Sequence, residues 1–167
     1  SAETSLFAQA YAHRLQQKRR EYPHRFLFVG RLEPIKGLDT LIDAWLSLGE
    51  HRRDWELHLV GTGSLRAKLD AISGIVVKDF MQPEALVDEI ASAGCLVLPS
   101  RGEPWGVVVH ESAAAGLPMI VSDVVGSATA FLVSGMNGFH FEWSDPRDLA
   151  RRMRQMIEMP DTEILAM

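Results

Sequence analysis

Four charged side chains stand out by their neighbours. Arg31 and Lys36 belong to the run Gly30, Arg31, Leu32, Glu33, Pro34, Ile35, Lys36, Gly37, which leaves an apolar stretch and enters one of helical spacing. A guanidinium grips phosphate oxygens in a two-pronged way, an ammonium offers a point charge, and the positive end of a helix dipole adds to both. Such a turn suits a phosphate; the plainer reading is a solvated loop in which Arg31 pairs with Glu33. Glu103 and Glu111 belong to a second run, from Leu98, Pro99 and Ser100 through Arg101, Gly102, Glu103, Pro104, Trp105, Gly106 and Val107 to Val108, Val109, His110 and Glu111. Pro104 and Gly106 oppose a helix, so Glu103 sits on a loop and Glu111 inside the helix that follows. A loop ending in Gly106 presents free amides at a helix N-terminus, which suits a diphosphate, and a carboxylate a turn or two further in can accept hydrogen bonds from a ribose diol. By spacing alone, two ordinary surface glutamates explain the same residues.

A third turn, Val60, Gly61, Thr62, Gly63, Ser64, is glycine-rich, which clears side chains from the path of a ligand approaching the backbone. It lacks the spacing of a dinucleotide fingerprint, and no Gly-Lys-Ser or Gly-Lys-Thr makes a P-loop.

These turns need a scaffold that gathers them. Short apolar runs alternate with helical periodicity from residue 26 onward, which predicts strands at Phe26–Val29, Glu56–Val60, Ile75–Val77, Cys95–Leu98, Pro118–Val121 and Gly138–Phe141. Their near-continuous hydrophobicity is that of strands covered on both faces, so the expected fold is α/β: a Rossmann-like parallel β-sheet of about six strands with helices on both faces. Leu38, Leu41, Ile42, Trp45 and Leu46 predict the core stripe of the first helix. Further helices are expected at Pro83–Ser92, Gly106–Ala115 and Asp145–Glu158. The last is capped by Asp145, followed by Pro146, and buries Leu149, Met153, Met156 and Ile157. Residues 1–25 read as an N-terminal helical segment packed on the domain, with Phe7, Tyr11 and Leu15 as its apolar stripe and Lys18, Arg19 and Arg20 as a solvated basic face. Residues 26–167 form the Rossmann-like domain proper. In such sheets ligands bind beyond the carboxyl ends of the strands, where all three turns are predicted to lie.

The 167 residues suffice for one core, and 47% hydrophobic with 23% charged is ordinary for a folded globular domain. Seventeen basic against 22 acidic residues give a net charge of −5, the wrong sign for a nucleic-acid binder. An anionic ligand must therefore be small and held locally. The single cysteine, Cys95, sits in an apolar run and reads as a buried thiol, which suits a reducing, cytoplasmic setting. No stretch has the length and apolarity of a membrane span, and the beginning of the chain lacks a signal-peptide block, so no membrane contact is expected of this part.

The Pro99, Ser100, Glu103, Gly106 and Glu111 frame resembles the paired-glutamate motif of the family 4 retaining glycosyltransferases of the GT-B fold. Gly30-Arg31-Leu32 with Lys36-Gly37, then Gly61-Thr62-Gly63, Ala115-Gly116-Leu117-Pro118, Asn137-Gly138-Phe139 and Asp145-Pro146 resemble further landmarks of that family in the same order. The resemblance covers residues 3–158 and implies the C-terminal, donor-binding half, with Glu3-Thr4-Ser5-Leu6-Phe7 just past an interdomain linker. It implies a nucleotide-diphosphate sugar donor and retaining transfer to an acceptor glycan, lipid or other hydroxyl compound held by a missing N-terminal domain, in polysaccharide biosynthesis. Arg31 and Lys36 then hold the diphosphate and offset leaving-group charge, Glu111 takes the ribose hydroxyls, Glu103 sits by the transferred sugar, and Gly30, Gly61, Gly106 and Val107 approach the donor. No cofactor or metal is implied. The isolated half is expected to bind a nucleotide weakly and to transfer no sugar at a useful rate; the full-length protein is compatible with membrane association.

Two departures stand out. Asp79 replaces a glycine common in the family, and Gly126–Ala130 lacks an acidic residue often found near Ala130. His110 beside Glu111 reads as a packed helix residue, since no partner marks it as catalytic. Two other readings remain open at this level: another enzyme of the same architecture, such as a sugar-nucleotide epimerase or a phosphorylase, and a non-catalytic nucleotide-sugar-binding module.

Overall fold

The computed structural model describes residues 9, 12, 21–34, 36–99, 112–123 and 137–167. Six strands, β1 (Arg25–Val29), β2 (Glu56–Val60), β3 (Ile75–Lys78), β4 (Cys95–Leu98), β5 (Met119–Ser122) and β6 (Gly138–Phe141), form one sheet. All its pairings are parallel, in the order β3-β2-β1-β4-β5-β6. The chain thus winds outward from β1 to β3, returns across the sheet, and winds the other way from β4 to β6. The expected parallel α/β sheet is therefore present, and each strand lies within one residue of its predicted bounds.

Right-handed crossovers place α1 (Lys36–Leu48) and the short α2 (Arg66–Asp70) on one face. The same rule places α3 (Pro83–Ala91) and helical residues 112–114 on the other, because the winding direction has reversed. The first face holds an aromatic cluster. Phe26 meets Trp45 edge-on at 6.4 Å and Trp55 at 4.5 Å between ring centroids, over the fully buried Leu57 and Leu59. Each such buried ring or branched chain contributes about 1.5–3 kcal/mol. Leu27, Leu96, Val97 and Leu98 are fully buried as well, which is why β1 and β4 read as unbroken apolar runs.

The helix α4 (Pro146–Glu158) closes the first face by packing on α1. Its start is the one expected: the Asp145 carboxylate accepts from the amides of Arg147 (3.0 Å) and Asp148 (3.2 Å), with Pro146 in the first turn. Leu149, Met153, Met156 and Ile157 are all buried. The stripe predicted for α1 needs one correction. Leu46 is 51% exposed, while Ala44 and Leu48 are buried. Because α1 is wedged between sheet and α4, its covered face turns toward Ala44 and Leu48 and leaves Leu46 on the open side. Three short elements went unanticipated, namely α2, the 3₁₀ turn Gly49–Arg52 and α5 (Asp161–Leu165); at four or five residues none is long enough to show a helical period.

The chain enters β1 through an irregular lead at residues 21–24. The remainder of the predicted N-terminal helical segment lies outside the described residues apart from 9 and 12, which are helical, and most of the helix expected at Gly106–Ala115 lies outside them too. Cys95 is buried, as its apolar run suggests. Among the described residues no helix is long and apolar enough to cross a membrane.

His24 fastens the lead to two other parts of the chain. Its Nδ1 lies 2.8 Å from Asp54 Oδ1 and its Nε2 2.8 Å from Asp161 Oδ1, and its ring stacks on Trp55 at 5.1 Å. Burial alone lowers the imidazole's pKa, but the hydrogen bonds to Asp161 and Asp54, with their charges, outweigh it and leave the value raised. A raised value means that the clasp stabilises fully below the unfolded histidine's value of about 6.5 and fades as pH climbs through the folded one. The melting temperature should therefore exceed that of His24→Gln by about 2 °C at pH 6, given how exposed the aspartates are, and by less at pH 9. Thermal melts of both proteins across that range would show it; a gap that widens with pH contradicts the clasp.

Candidate functional site

The reversal of winding between β1 and β4 fixes where a ligand can enter. Phe26 pairs with Cys95 and Leu27 with Leu96, so two residues further on Val29 and Leu98 come level. Gly30 and Pro99 then leave the sheet side by side, about 5 Å apart, with their helices diverging to opposite faces. The resulting crevice is bordered by the Arg31 turn on one side and by the start of the loop toward Glu111 on the other.

The strand ladder does not stop at the strand ends. The Gly30 amide donates to the Val60 carbonyl (3.0 Å), the Leu32 amide to Thr62 O (2.8 Å), and the Leu65 amide returns to Leu32 O (2.9 Å). The Gly61 amide donates to Lys78 O (2.9 Å), carrying the same ledge to β3. Leu32 is fully buried beneath it. The glycines of the second turn serve this contact. A Cβ on Gly61 would lie 1.7 Å from Gly30 O, and one on Gly63 would lie 2.2 Å from Leu32 O. The space they clear is taken by the first turn's backbone, so these glycines serve the close packing of two turns.

This zippering settles the partner of Glu33. Its carboxylate accepts from the Ser64 hydroxyl (2.7 Å) and the Ser64 amide (3.2 Å). Those two bonds, with a smaller contribution from the Arg31 charge, hold the Glu33 carboxyl below its ordinary range. Arg31 is exposed and makes no salt bridge with any described residue. The plainer reading, in which Glu33 neutralises Arg31, therefore does not hold. An exposed guanidinium, without a carboxylate partner among the described residues, is left on the rim beside the crevice. Lys36 is described by its backbone, as the first residue of α1, so the positive end of that helix faces the same rim.

Further along the ledge, the Arg66 guanidinium pairs with Asp79 and reaches Asp70 at 3.6 Å, while Lys78 pairs with Glu89 at 2.6 Å. Beyond β5, Asp123 accepts from the Trp143 amide (3.2 Å). The structure thus brings Gly30, Arg31, Gly61 and the start of α1 at Lys36 onto one rim. Glu103, Gly106, Val107 and Glu111, with His110 and Gly126–Ala130, lie outside the described residues. Arg66 and Phe80 on the same rim escaped the sequence reading, because nothing in their spacing distinguishes them from surface residues.

An open recess of about 540 Å³ lies elsewhere, at the amino ends of the strands, lined by Glu21, Tyr22, Pro23, His24, Arg25, Asp54, Glu56 and Ser92. Its carboxylates, Glu21, Asp54 and Glu56, repel an anionic ligand, and parallel sheets place their chemistry at the opposite end.

Comparison with known proteins gives the site its context. The model of a family described as "Glycosyl transferases group 1" matches residues 23–159. An uncharacterized glycosyltransferase of Methanocaldococcus jannaschii is 34% identical over 140 residues, covering 78% of this chain and 37% of that protein. A D-inositol 3-phosphate glycosyltransferase of Streptomyces avermitilis is 34% identical over 150 residues, covering 80% and 32%. The crystallised C-terminal domain of a group 1 family glycosyl transferase from Francisella tularensis superposes with a TM-score of 0.74 at 17% identity. It covers 92% of this chain and 84% of that one, a likeness of fold. The chain spans about a third of the length of the curated relatives it matches.

The zippered turns make a prediction about stability. Gly61→Ala should cost about 2 kcal/mol, because a backbone carbonyl has to move to admit the methyl group. Gly49→Ala, where open space surrounds the position and only a left-handed backbone (φ +51°) resists, should cost about 1 kcal/mol. Urea titrations of the two variants would rank them; the reverse order contradicts the packing role.

Proposed function

Because the chain belongs to the group 1 glycosyl transferases, we propose that it is the C-terminal, donor-binding half of a retaining enzyme of family 4 that transfers a sugar from a nucleotide-diphosphate donor. The observation that carries this reading is the exposed Arg31, in no salt bridge among the described residues, at the crevice where the winding of the sheet reverses. A diphosphate placed there meets a guanidinium and the positive end of α1, and both act on the charge that grows on the leaving group as the bond to the sugar breaks. In this reading Lys36 joins Arg31 at the diphosphate. Glu111 accepts from the ribose hydroxyls, Glu103 lies by the transferred sugar, and the amides at Gly106 and Val107 reach the donor. Protein cations take the part that a metal plays in other transferases. The acceptor, a glycan, lipid or other hydroxyl compound, is held by a second, N-terminal domain, and the protein works in the cytoplasm. Membership of a transferase family weighs against an epimerase, a phosphorylase and a binding module.

The test is a transfer assay on the full-length protein with nucleotide-sugar donors, the anomeric configuration of the product being read by NMR. Arg31→Ala should lower kcat about 100-fold or more, as removal of one charge-stabilising group does elsewhere. Glu111→Ala should instead raise the donor KM with a smaller effect on kcat. Inversion of configuration, or full turnover by Arg31→Ala, rejects the reading.

A further inference from the structure

The second face of the sheet carries charge where the first carries aromatic rings. Side chains alternate along a strand, and Leu57 and Leu59 point to the first face, so Glu56 and His58 point to the second. Arg25 lies beside Glu56 and Leu27 beside His58 on β1, while β3 contributes Val76 and Lys78. The crossover from β3 to β4 carries α3 over β2 and β1, with Leu86, Val87 and Ile90 buried against the sheet.

His58 is only 4% exposed, deep for an ionisable side chain. Its Nε2 lies 3.1 Å from Glu56 Oε1, and its Nδ1 has no hydrogen-bond partner among the described residues. A carboxylate only accepts, so Nε2 carries the hydrogen and Nδ1 is the bare acceptor. The charges of Arg25 and Lys78 also reach the ring. From α3, Glu89 faces the sheet and pairs with Lys78 at 2.6 Å, whereas Glu84 and Asp88 are exposed; β4 presents Leu96 and Leu98 on this face. Arg25 and Lys78 therefore balance Glu56 and Glu89 only while His58 is neutral. A second proton adds an uncompensated charge beneath α3 and turns Nδ1 into a buried donor with nothing to receive it.

We propose that His58 is an acid sensor: on taking up a proton it loosens α3 from the sheet and frees Glu89 from Lys78. The Lys78 carbonyl receives the Gly61 amide, so the ledge at the carboxyl ends of the strands is weakened at its β3 end by an event in the layer beneath it.

The direction of titration agrees. Burial foremost, with the charges of Arg25 and Lys78, depresses the His58 pKa below 6.5, and the hydrogen bond to Glu56 recovers only part of the loss. A depressed value means that the seating of α3 is at full strength above the unfolded histidine's value of about 6.5 and weakens as pH falls through it toward the folded one. His24, whose value is raised, acts in the opposite sense, so a global melt sums two opposed effects and a local probe is needed.

Native-state hydrogen exchange, corrected for the intrinsic pH dependence of the amides, reads α3 and β4 separately. In the unaltered chain, protection of residues 83–91 relative to residues 95–98 should fall about tenfold between pH 8 and pH 5. It should stay constant in His58→Leu, which removes the proton site, and in His58→Gln, which keeps a polar but neutral side chain should the leucine variant fail to fold. An NMR titration of the His58 imidazole in the unaltered chain should give a midpoint below 6.5. A midpoint at or above that value, constant protection of α3 in the unaltered chain, or the same fall in a folded variant overturns the proposal.

Discussion

The rim at the carboxyl ends of the strands depends on hydrogen bonds that continue past the last strand residues. Where Gly30 donates to Val60, Leu32 to Thr62 and Gly61 to Lys78, three turns that would otherwise be independent loops become the edge of the sheet. Buried backbone groups must find partners, and here each turn supplies them to the next. Only glycine at residues 61 and 63 allows the approach, since any side chain would meet the neighbouring carbonyl. The orientation of Arg31 follows from this ledge. Leu32 beneath it is buried, Glu33 beside it is taken by Ser64, and the guanidinium between them is left to solvent.

That local result bears on the proposal that an acidic domain receives an anionic donor. A net charge of −5 opposes a phosphorylated ligand at long range, but salt screens charges more than about 10 Å apart. The nearest acidic group on the turn, Glu33, spends its lone pairs on Ser64, and Asp79 is paired with Arg66. At the crevice, positive potential comes from the Arg31 guanidinium and the helix start of α1, with Asp79 neutralised by Arg66.

The fold was legible in the sequence because strands covered on both faces must be apolar throughout, and a run such as Cys95–Leu98 has no second interpretation at that length. The Asp145-Pro146 cap was legible for a similar reason, one short motif having one physical use. Leu46 misled because periodicity gives the direction of a stripe without its width, and the width of the buried face on α1 was set by α4, a hundred residues away. The role of Gly61 and Gly63 was hidden for the same cause: a glycine says that something comes close, and the sequence does not say whether it is a ligand or another turn. Arg66 and Asp79 are thirteen residues apart and meet only because β2 and β3 are parallel neighbours.

The two ends of the sheet divide their tasks. At the amino ends, His24 ties the lead into β1 to Asp54 and to Asp161 on α5, so contacts there join remote parts of the chain and bear on stability. At the carboxyl ends, side chains such as Arg31 and Phe80 are left uncovered while the backbone beneath them is pinned. Exposed charge and exposed aromatic surface contribute little to folding, and rigidity in the ledge that carries them lowers the entropy lost when a ligand is bound. A rim built in this way can change its side chains, and with them its ligand, without disturbing the core that the strands below it share.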